Sequence, residues 1–538
     1  MILHQAGATA PPAPGQDMAE LILCTLNARH AHASLGLRSL RAHLGALRPR
    51  SRIIEFVVGA PAEDMAERLL AHQPRVIGFG VYIWNVEATT RLVALLRRVA
   101  PEVAIVLGGP EVSHEIDQQP ICTMADHVIT GAGETAFALL ARQLLDGPRP
   151  LNRVVPGGDP DPRALVLPVD EFTADDLRHR HLYLEASRGC PYRCEFCLSA
   201  LDRTARPFEL SRVLDALASL HARGARRFRF VDRTFNLRTD TAGAILDFFL
   251  ARQADNPADP VFAHFELVPD HLPAALRDRI TRFAPGTLQF EIGIQTWNPE
   301  VQTLISRRQN NAAAEDNLRW LLQATQAHLH VDLIAGLPGE TLESFGEGFD
   351  RLARIGPHEI QVGILKRLRG APISRHEAAF ALRFNPAPPY NILSTRDIGF
   401  ADLQRLSRFA RYWDLIGNSG RFRRSLPLLL GDAPFRRFLA LSDWLFQRTD
   451  ATHRISAERL AELVLAWLIE AGTADDPTDR AAGDEAARQA ARDDYASSGA
   501  RGRPAFLARG LPGLSGPQTA VAAATPSATP PRQQRHLA

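Results

Sequence analysis

Cysteine is scarce, lysine nearly absent, and long apolar runs are missing from this 538-residue chain. Five cysteines over such a length cannot staple a fold, which excludes a disulfide framework and leaves metal or redox chemistry for any that cluster. Lys366 is the single lysine, so the cationic charge is carried by arginine. Lys and Arg together number 62 against 60 acidic residues, a net charge of +2, and this balance excludes the basic footprint of a nucleic-acid binder. No stretch approaches the roughly 18 apolar residues a membrane span needs. Residues 1–16 have neither a basic start nor a continuous apolar segment, so no signal peptide is read there and a cytoplasmic protein is expected. What is present is ample core material: 45% of the residues are hydrophobic and 7% are aromatic.

At about 150 residues per domain the length suggests three to four domains. Residues 1–17 read as a disordered leader. From Leu21, short β-like runs alternate with helical ones, the pattern of a parallel sheet covered by helices. Strands are predicted at Leu21–Leu26, Arg52–Val57, Val76–Val81, Ala104–Leu107 and His127–Ile129. They make a doubly wound, Rossmann-like α/β domain over residues 18–147, with its ligand crevice beyond the C-terminal strand ends. Residues 148–180, rich in Pro, Gly and Asp, read as a linker. A second series has strands at Leu182–Ser187, Arg227–Val231, Val261–Leu267, Leu288–Ile294, His330–Ala335 and Glu359–Leu365. Six βα units over residues 181–372 suggest a partial (β/α)6 barrel of the TIM type. A helical C-terminal domain over 373–471 and a disordered tail over 472–538, poor in large apolar residues, complete the expectation.

Directly after the first strand of the second series stands Ser187-Arg188-Gly189-Cys190-Pro191-Tyr192-Arg193-Cys194-Glu195-Phe196-Cys197. Three thiols at C-x3-C-x2-C spacing can face one iron–sulfur cluster from a short loop, and three ligands to a 4Fe–4S cluster leave one iron open. Zinc is the alternative, but it takes four ligands and no fourth Cys or His stands within reach in the sequence. Cys190, Cys194 and Cys197 are therefore the candidate metal ligands and catalytic centre. Cys24, in the first strand, reads as a small buried hydrophobe, and Cys122, in a polar-flanked connection, as incidental.

This loop resembles that of the radical S-adenosylmethionine (SAM) family, as do Glu291-Ile292-Gly293-Ile294-Gln295-Thr296 and Asp332-Leu333-Ile334-Ala335-Gly336-Leu337-Pro338-Gly339-Glu340 further on. The resemblance implies a 4Fe–4S cluster whose open iron holds SAM, and an electron from a flavodoxin- or ferredoxin-type donor. It places Phe196 at the adenine, Glu266 at the ribose, and Gln295 and Gly336 near SAM. Asp232 stands where family members carry an acidic contact to the methionine amine, with Arg233 and Asn236 beside it. His264, Trp297 and Arg367 are candidates for the substrate pocket.

A doubly wound domain in front of such a barrel is similar to that of cobalamin-binding members of the family. The residues carrying this are Gly108-Gly109 and Gly131-Ala132-Gly133 at successive strand ends, which let a large ligand approach the backbone, with Tyr82, Trp84 and Asn85 lining the crevice. His32, in the loop after the first strand, is a candidate ligand to cobalt, although the usual D-x-H-x-x-G form is absent. Over residues 20–470 the chain resembles an uncharacterised subgroup whose C-terminal region is a domain of unknown function. The family implies methyl transfer or other radical chemistry on an unactivated carbon of a small molecule or metabolite. A cobalamin-free oxidoreductase of the porphyrinogen-oxidase type and a non-catalytic iron–sulfur sensor are the alternatives.

Overall fold

A computed structural model describes residues 18–471, 477–500, 502–507 and 529–537. The expected leader lies outside the described residues.

The first sheet orders its strands 2-1-3-4-5-6, all parallel. They are β1 (Leu21–Asn27), β2 (Ser51–Val57), β3 (Val76–Gly80), β4 (Ala104–Gly108), β5 (His127–Thr130) and β6 (Val154–Pro156). β1 is buried at every residue, as an apolar strand covered on both faces must be. The chain reverses direction of travel between β1 and β3, the switch point at which loops diverge and leave a crevice. β6 corrects the linker expectation. Val154 to Pro156 pairs with Val128 to Thr130 at the sheet edge, where a proline is tolerated. The rest of that segment holds short 3-10 turns and the helix Ala174–His179, closed by a Thr173–Asp176 capping box.

The second sheet has six parallel strands in sequence order: β7 (Leu182–Leu184), β8 (Arg227–Phe230), β9 (Phe262–Leu267), β10 (Leu288–Gln295), β11 (His328–Ala335) and β12 (Glu359–Ile364). These match the predicted runs and form an open, partial barrel. Alternation along the strands sorts the side chains by face. Phe228, Phe230, Phe265 and Phe290 pack outward against the helices in a chain of ring contacts. Arg229, His264, Glu266, Glu291, His330 and Asp332 take the opposite parity.

The C-terminal region is helical over Phe400–Leu415, Ser425–Leu430, Pro434–Thr449 and Ala457–Glu470, but it begins with a small antiparallel ladder, Arg383–Phe384 against Ile392–Ser394. The disordered-tail expectation is corrected over part of its length. Pro477–Ser497 is a helix, and its Ala487, Ala491 and Tyr495 are buried against the preceding helices. Small alanines at helical spacing permit close packing without the large apolar residues whose absence suggested disorder. The short helix Pro531–Leu537 sits under the barrel, where Arg532 pairs with Glu359 and Asp414.

Candidate functional site

The loop after β7 is set by its neighbours before any cofactor is considered. Gly189 has φ +86, and a Cβ there would stand 2.7 Å from the Asp202 carboxyl carbon, so only glycine fits. Glu195 anchors the loop from inside: it accepts from Ser306 at 2.5 Å, pairs with His376 at 2.8 Å and contacts Arg375. Asp232 does the same at the loop's root, accepting from the Ala186 N–H at 2.9 Å and the Ser187 hydroxyl at 2.6 Å. Burial pushes its carboxyl up to about 6.

Cys190, Cys194 and Cys197 together line a cavity at the C-terminal mouth of the barrel. Cys190 and Cys194 are buried, and burial raises both thiols, Cys190 to about 11. Arg307 works against this at Cys194, its Nη1 standing 3.5 Å from the sulfur. Among the described residues no three His, Cys, Asp or Glu side chains converge on a single metal ion. Thiolates of one 4Fe–4S cluster each hold a different iron, so three cysteines on one loop need not converge on a point to serve it.

The opposite wall is charged. Arg233 Nη1 donates to both carboxylate oxygens of Glu266, at 2.8 and 3.0 Å. Burial raises Glu266 to about 7 and Asp332 to about 6, whereas Glu291 is held low because His264, 3.4 Å away, and the nearby cations outweigh its burial. Gln295 enters the cavity through an irregular step: φ is +69 and the β10–β11 register shifts there. Its amide group packs over Gly293, in the space a Cβ at that position would share.

Phe196, Glu266 and Gln295 thus share the cavity with the three cysteines. Arg233 joins them, whereas Asp232, Asn236, His264, Trp297, Gly336 and Arg367 do not. Asp232 faces the loop root, as described, because the chain has already turned past the strand end. Gly336 is remote: its φ is +86 and a Cβ would meet Ile392 at 2.6 Å, a close approach to the C-terminal region. His264 stands behind Glu291, and Asn236 ties together the carbonyls of Val268 and His271. Trp297 is buried beneath Arg351, and Arg367 pairs with Glu115 and Glu377. Asp332 and Arg307 line the cavity and were missed. Asp332 carried a signal in its parity with His330; Arg307 carried none, since only the fold brings it to Cys194.

A second cavity opens at the ends of β3, β4 and β5. Tyr82, Gly108, Gly109, Gly131 and Gly133 line it, together with Gly78, Phe137 and Glu134. Gly109 has φ +111, and its Cβ would lie 2.5 Å from the Val81 carbonyl oxygen. A Cβ on Gly133 would press on Leu40 at 3.2 Å. This floor of bare backbone suits a large, flat or tailed ligand. Tyr82 stacks on Trp84 with centroids 4.4 Å apart, and Asn85 holds the turn by donating to the carbonyls of Leu26 and Gly80. His32 is not part of this cavity. It bonds Tyr183 at 2.6 Å in the seam between the two sheets, and burial lowers its pKa.

Family models match three consecutive regions: the B12 binding domain over residues 23–141, the radical SAM superfamily over 184–352, and a protein family of unknown function, DUF4080, over 378–507. The chain therefore carries a B12 binding domain, a radical SAM domain and a DUF4080 region. It is homologous to cobalamin-dependent radical SAM methyltransferases. The methyltransferase TokK of Streptomyces tokunonensis is 27% identical over 62% of this chain and 52% of its own length. The 2-(S-pantetheinyl)-carbapenam-3-carboxylate methyltransferase of Streptantibioticus cattleyicolor is 27% identical over 59% and 51%. The chain therefore spans about half the length of these relatives. Two solved structures share the fold. TsrM of Kitasatospora setae, with cobalamin and a [4Fe-4S] cluster bound, has a TM-score of 0.55 at 16% identity, covering 88% of this chain and all of that one. OxsB with aqua-cobalamin bound has a TM-score of 0.56 at 14% identity, covering 90% and 84%. The radical SAM domain implies a 4Fe–4S cluster and SAM, and the B12-binding domain implies cobalamin. No helix among the described residues is long and apolar enough to cross a membrane.

Proposed function

We propose that the protein is a cobalamin-dependent radical SAM enzyme that transfers a methyl group to an unactivated carbon of a small-molecule substrate. The observation that carries this reading is the placement of two cavities on one loop: Cys190 lines the first and Arg188, two residues earlier, lines the second. When bound, the reduced cluster supplies the electron that splits SAM to a 5′-deoxyadenosyl radical, and cobalamin supplies the methyl group.

The chain's own task is to hold and orient. Cys190, Cys194 and Cys197 bind the cluster as thiolates, and the Arg307 charge favours that form at Cys194. Phe196 lies beside the adenine, and the Arg233–Glu266 pair presents a cation to the carboxylate of SAM and an acceptor to its ribose. Glu291 and Asp332 would add negative charge to the lining of the same cavity, and Gln295 would contact SAM there. These groups ring one cavity at the barrel mouth and so fix the orientation of what binds there. The glycine ends of β4 and β5 leave room for the corrin. A ferredoxin- or flavodoxin-type reductant and a cytoplasmic location go with this chemistry.

Anaerobic reconstitution with iron, sulfide and hydroxocobalamin tests the reading. About four irons, the content of one 4Fe–4S cluster, and about one cobalt per chain are expected, with 5′-deoxyadenosine formed from SAM after reduction. The same iron without cobalt overturns the cobalamin assignment in favour of a cobalamin-free oxidoreductase. Full iron with no SAM cleavage overturns the enzyme reading in favour of a sensor.

A further inference from the structure

Arg188 is the one side chain of the cysteine loop that reaches the glycine-lined cavity. Its backbone belongs to the other cavity's architecture, paired with Arg206 in a two-residue ladder immediately before Cys190. Its guanidinium is oriented by carboxylates from both halves of the molecule. Nη2 donates to Glu134 at 2.6 Å, at the start of the helix Glu134–Asp146, and to Glu185 at 2.5 Å; Nε donates to Glu185 at 2.9 Å. Phe208 supports the group from one side at 5.8 Å. Glu134 is buried and also accepts from Ser39 at 3.1 Å. These partners account for Nε and Nη2. Nη1 has no hydrogen-bond partner among the described residues, although the arginine keeps about a fifth of its side chain exposed, at 21%. A planar fork with two arms fixed presents its third in a set direction.

We propose that Arg188 donates through Nη1 to an oxygen acceptor of the cobalamin in this cavity, and so ties occupancy of the cavity to the loop that holds the cluster. The inference rests on the cobalamin reading above. Two carboxylates already surround one cation here, so the site accepts a hydrogen-bonding oxygen without needing to attract a full anion. Amide carbonyls on the corrin rim and the phosphodiester of the nucleotide tail share that chemistry. A bond to the bound ligand removes freedom from Arg188 and from Gly189 and Cys190 beyond it. By linkage, a cluster that orders the same loop then tightens cobalamin binding by the same factor as cobalamin tightens the cluster.

The test is equilibrium titration of the anaerobic protein with hydroxocobalamin and with cobinamide, which keeps the corrin amides and lacks the nucleotide, followed by absorbance, before and after cluster assembly. Arg188→Lys keeps one charge for Glu134 and Glu185 but loses the fork. It is expected to weaken hydroxocobalamin about ten- to hundredfold, the range for a charge-assisted hydrogen bond, and to abolish the difference between cluster-free and cluster-loaded protein. Equal weakening for cobinamide assigns the acceptor to a corrin amide; weakening for hydroxocobalamin alone assigns it to the phosphate. Arg193→Lys, an exposed arginine of the same loop, serves as the control and leaves both affinities unchanged. Thermal unfolding of each variant separates loss of binding from loss of fold. Wild-type affinity in a folded Arg188→Lys variant overturns the role of Arg188 and leaves the cobalamin reading standing. Failure of the wild-type protein to bind either corrinoid overturns both.

Discussion

Removing one hydroxyl in the C-terminal region should loosen the rim of the glycine-lined cavity without altering its lining. Tyr390 donates to Glu111 Oε1 at 2.7 Å, and Arg369 donates to the same oxygen at 3.0 Å. Arg369 also reaches Glu115 at 2.7 Å, and Arg367 meets Glu115 at 2.9 Å. Glu111 is 3% exposed and stands two residues past Gly109, so this clamp fixes the turn that leaves β4. A hydrogen bond to a buried charged group contributes about 1.5–3 kcal/mol. Tyr390→Phe leaves Arg369 on Glu111, which sets the expected loss near the lower end, about 1.5 kcal/mol or roughly tenfold in the local opening equilibrium. Glu111→Ala deprives Arg369 of one of two carboxylates and should cost about 3 kcal/mol or more. Native-state hydrogen exchange over residues 108–119 and 367–391 reads both, and is preferable to a single unfolding midpoint for a chain of several domains. A double-mutant cycle of Tyr390→Phe with Glu111→Gln should give a coupling of at least about 1 kcal/mol. Wild-type protection in Tyr390→Phe, or additive losses in the cycle, would refute the clamp.

Cys194→Ala should lose its 4Fe–4S cluster and all SAM cleavage while still binding hydroxocobalamin, because the two cavities share no lining residue; four irons retained per chain would contradict the ligand set. Gly109→Ala forces a Cβ to within 2.5 Å of the Val81 carbonyl at φ +111, and a destabilisation of about 2–4 kcal/mol, with loss of corrinoid binding, should follow in thermal unfolding and titration. Glu340, 1% exposed, accepts from Thr296 at 2.5 Å, and burial pushes its carboxyl up from 4.5 to about 8. The folded state therefore keeps a proton that the unfolded chain releases, and stability falls as pH rises between those values, by about 5 kcal/mol in all. Glu340→Gln should remove that slope: an unfolding profile with the same pH dependence as the wild type would disprove the buried, protonated acid.

Much of this architecture is legible in the sequence because its causes are local. The continuous apolar run of β1, the alternation in strands such as β10 and β11, the glycines at strand ends and the C-x3-C-x2-C spacing each follow from a handful of neighbouring residues. β6 was not legible, since Val154 to Pro156 is too short to show a period and is a strand only by pairing with β5. The helix Pro477–Ser497 was hidden for a related reason: alanine-rich segments read as disordered until a partner surface covers them.

Side-chain destinations are where sequence and structure part. Asp232 and Asp332 both stand at or near the end of a barrel strand, yet Asp332 lies inside β11 with its side chain at the cavity, whereas Asp232 follows β8 and turns to the root of the cysteine loop. His32 has the chemistry of a metal ligand, and its place in the seam beside Tyr183 was decided by how the two sheets dock. Arg307 and Arg188 gain their meaning from partners more than fifty residues away, Cys194 and Glu134. Spacing along a chain specifies thiols on one loop and glycines at one sheet edge, because these depend on backbone geometry over a few residues. Which charges share a cavity depends on contacts closed across the whole fold, and only the tertiary structure supplies those distances.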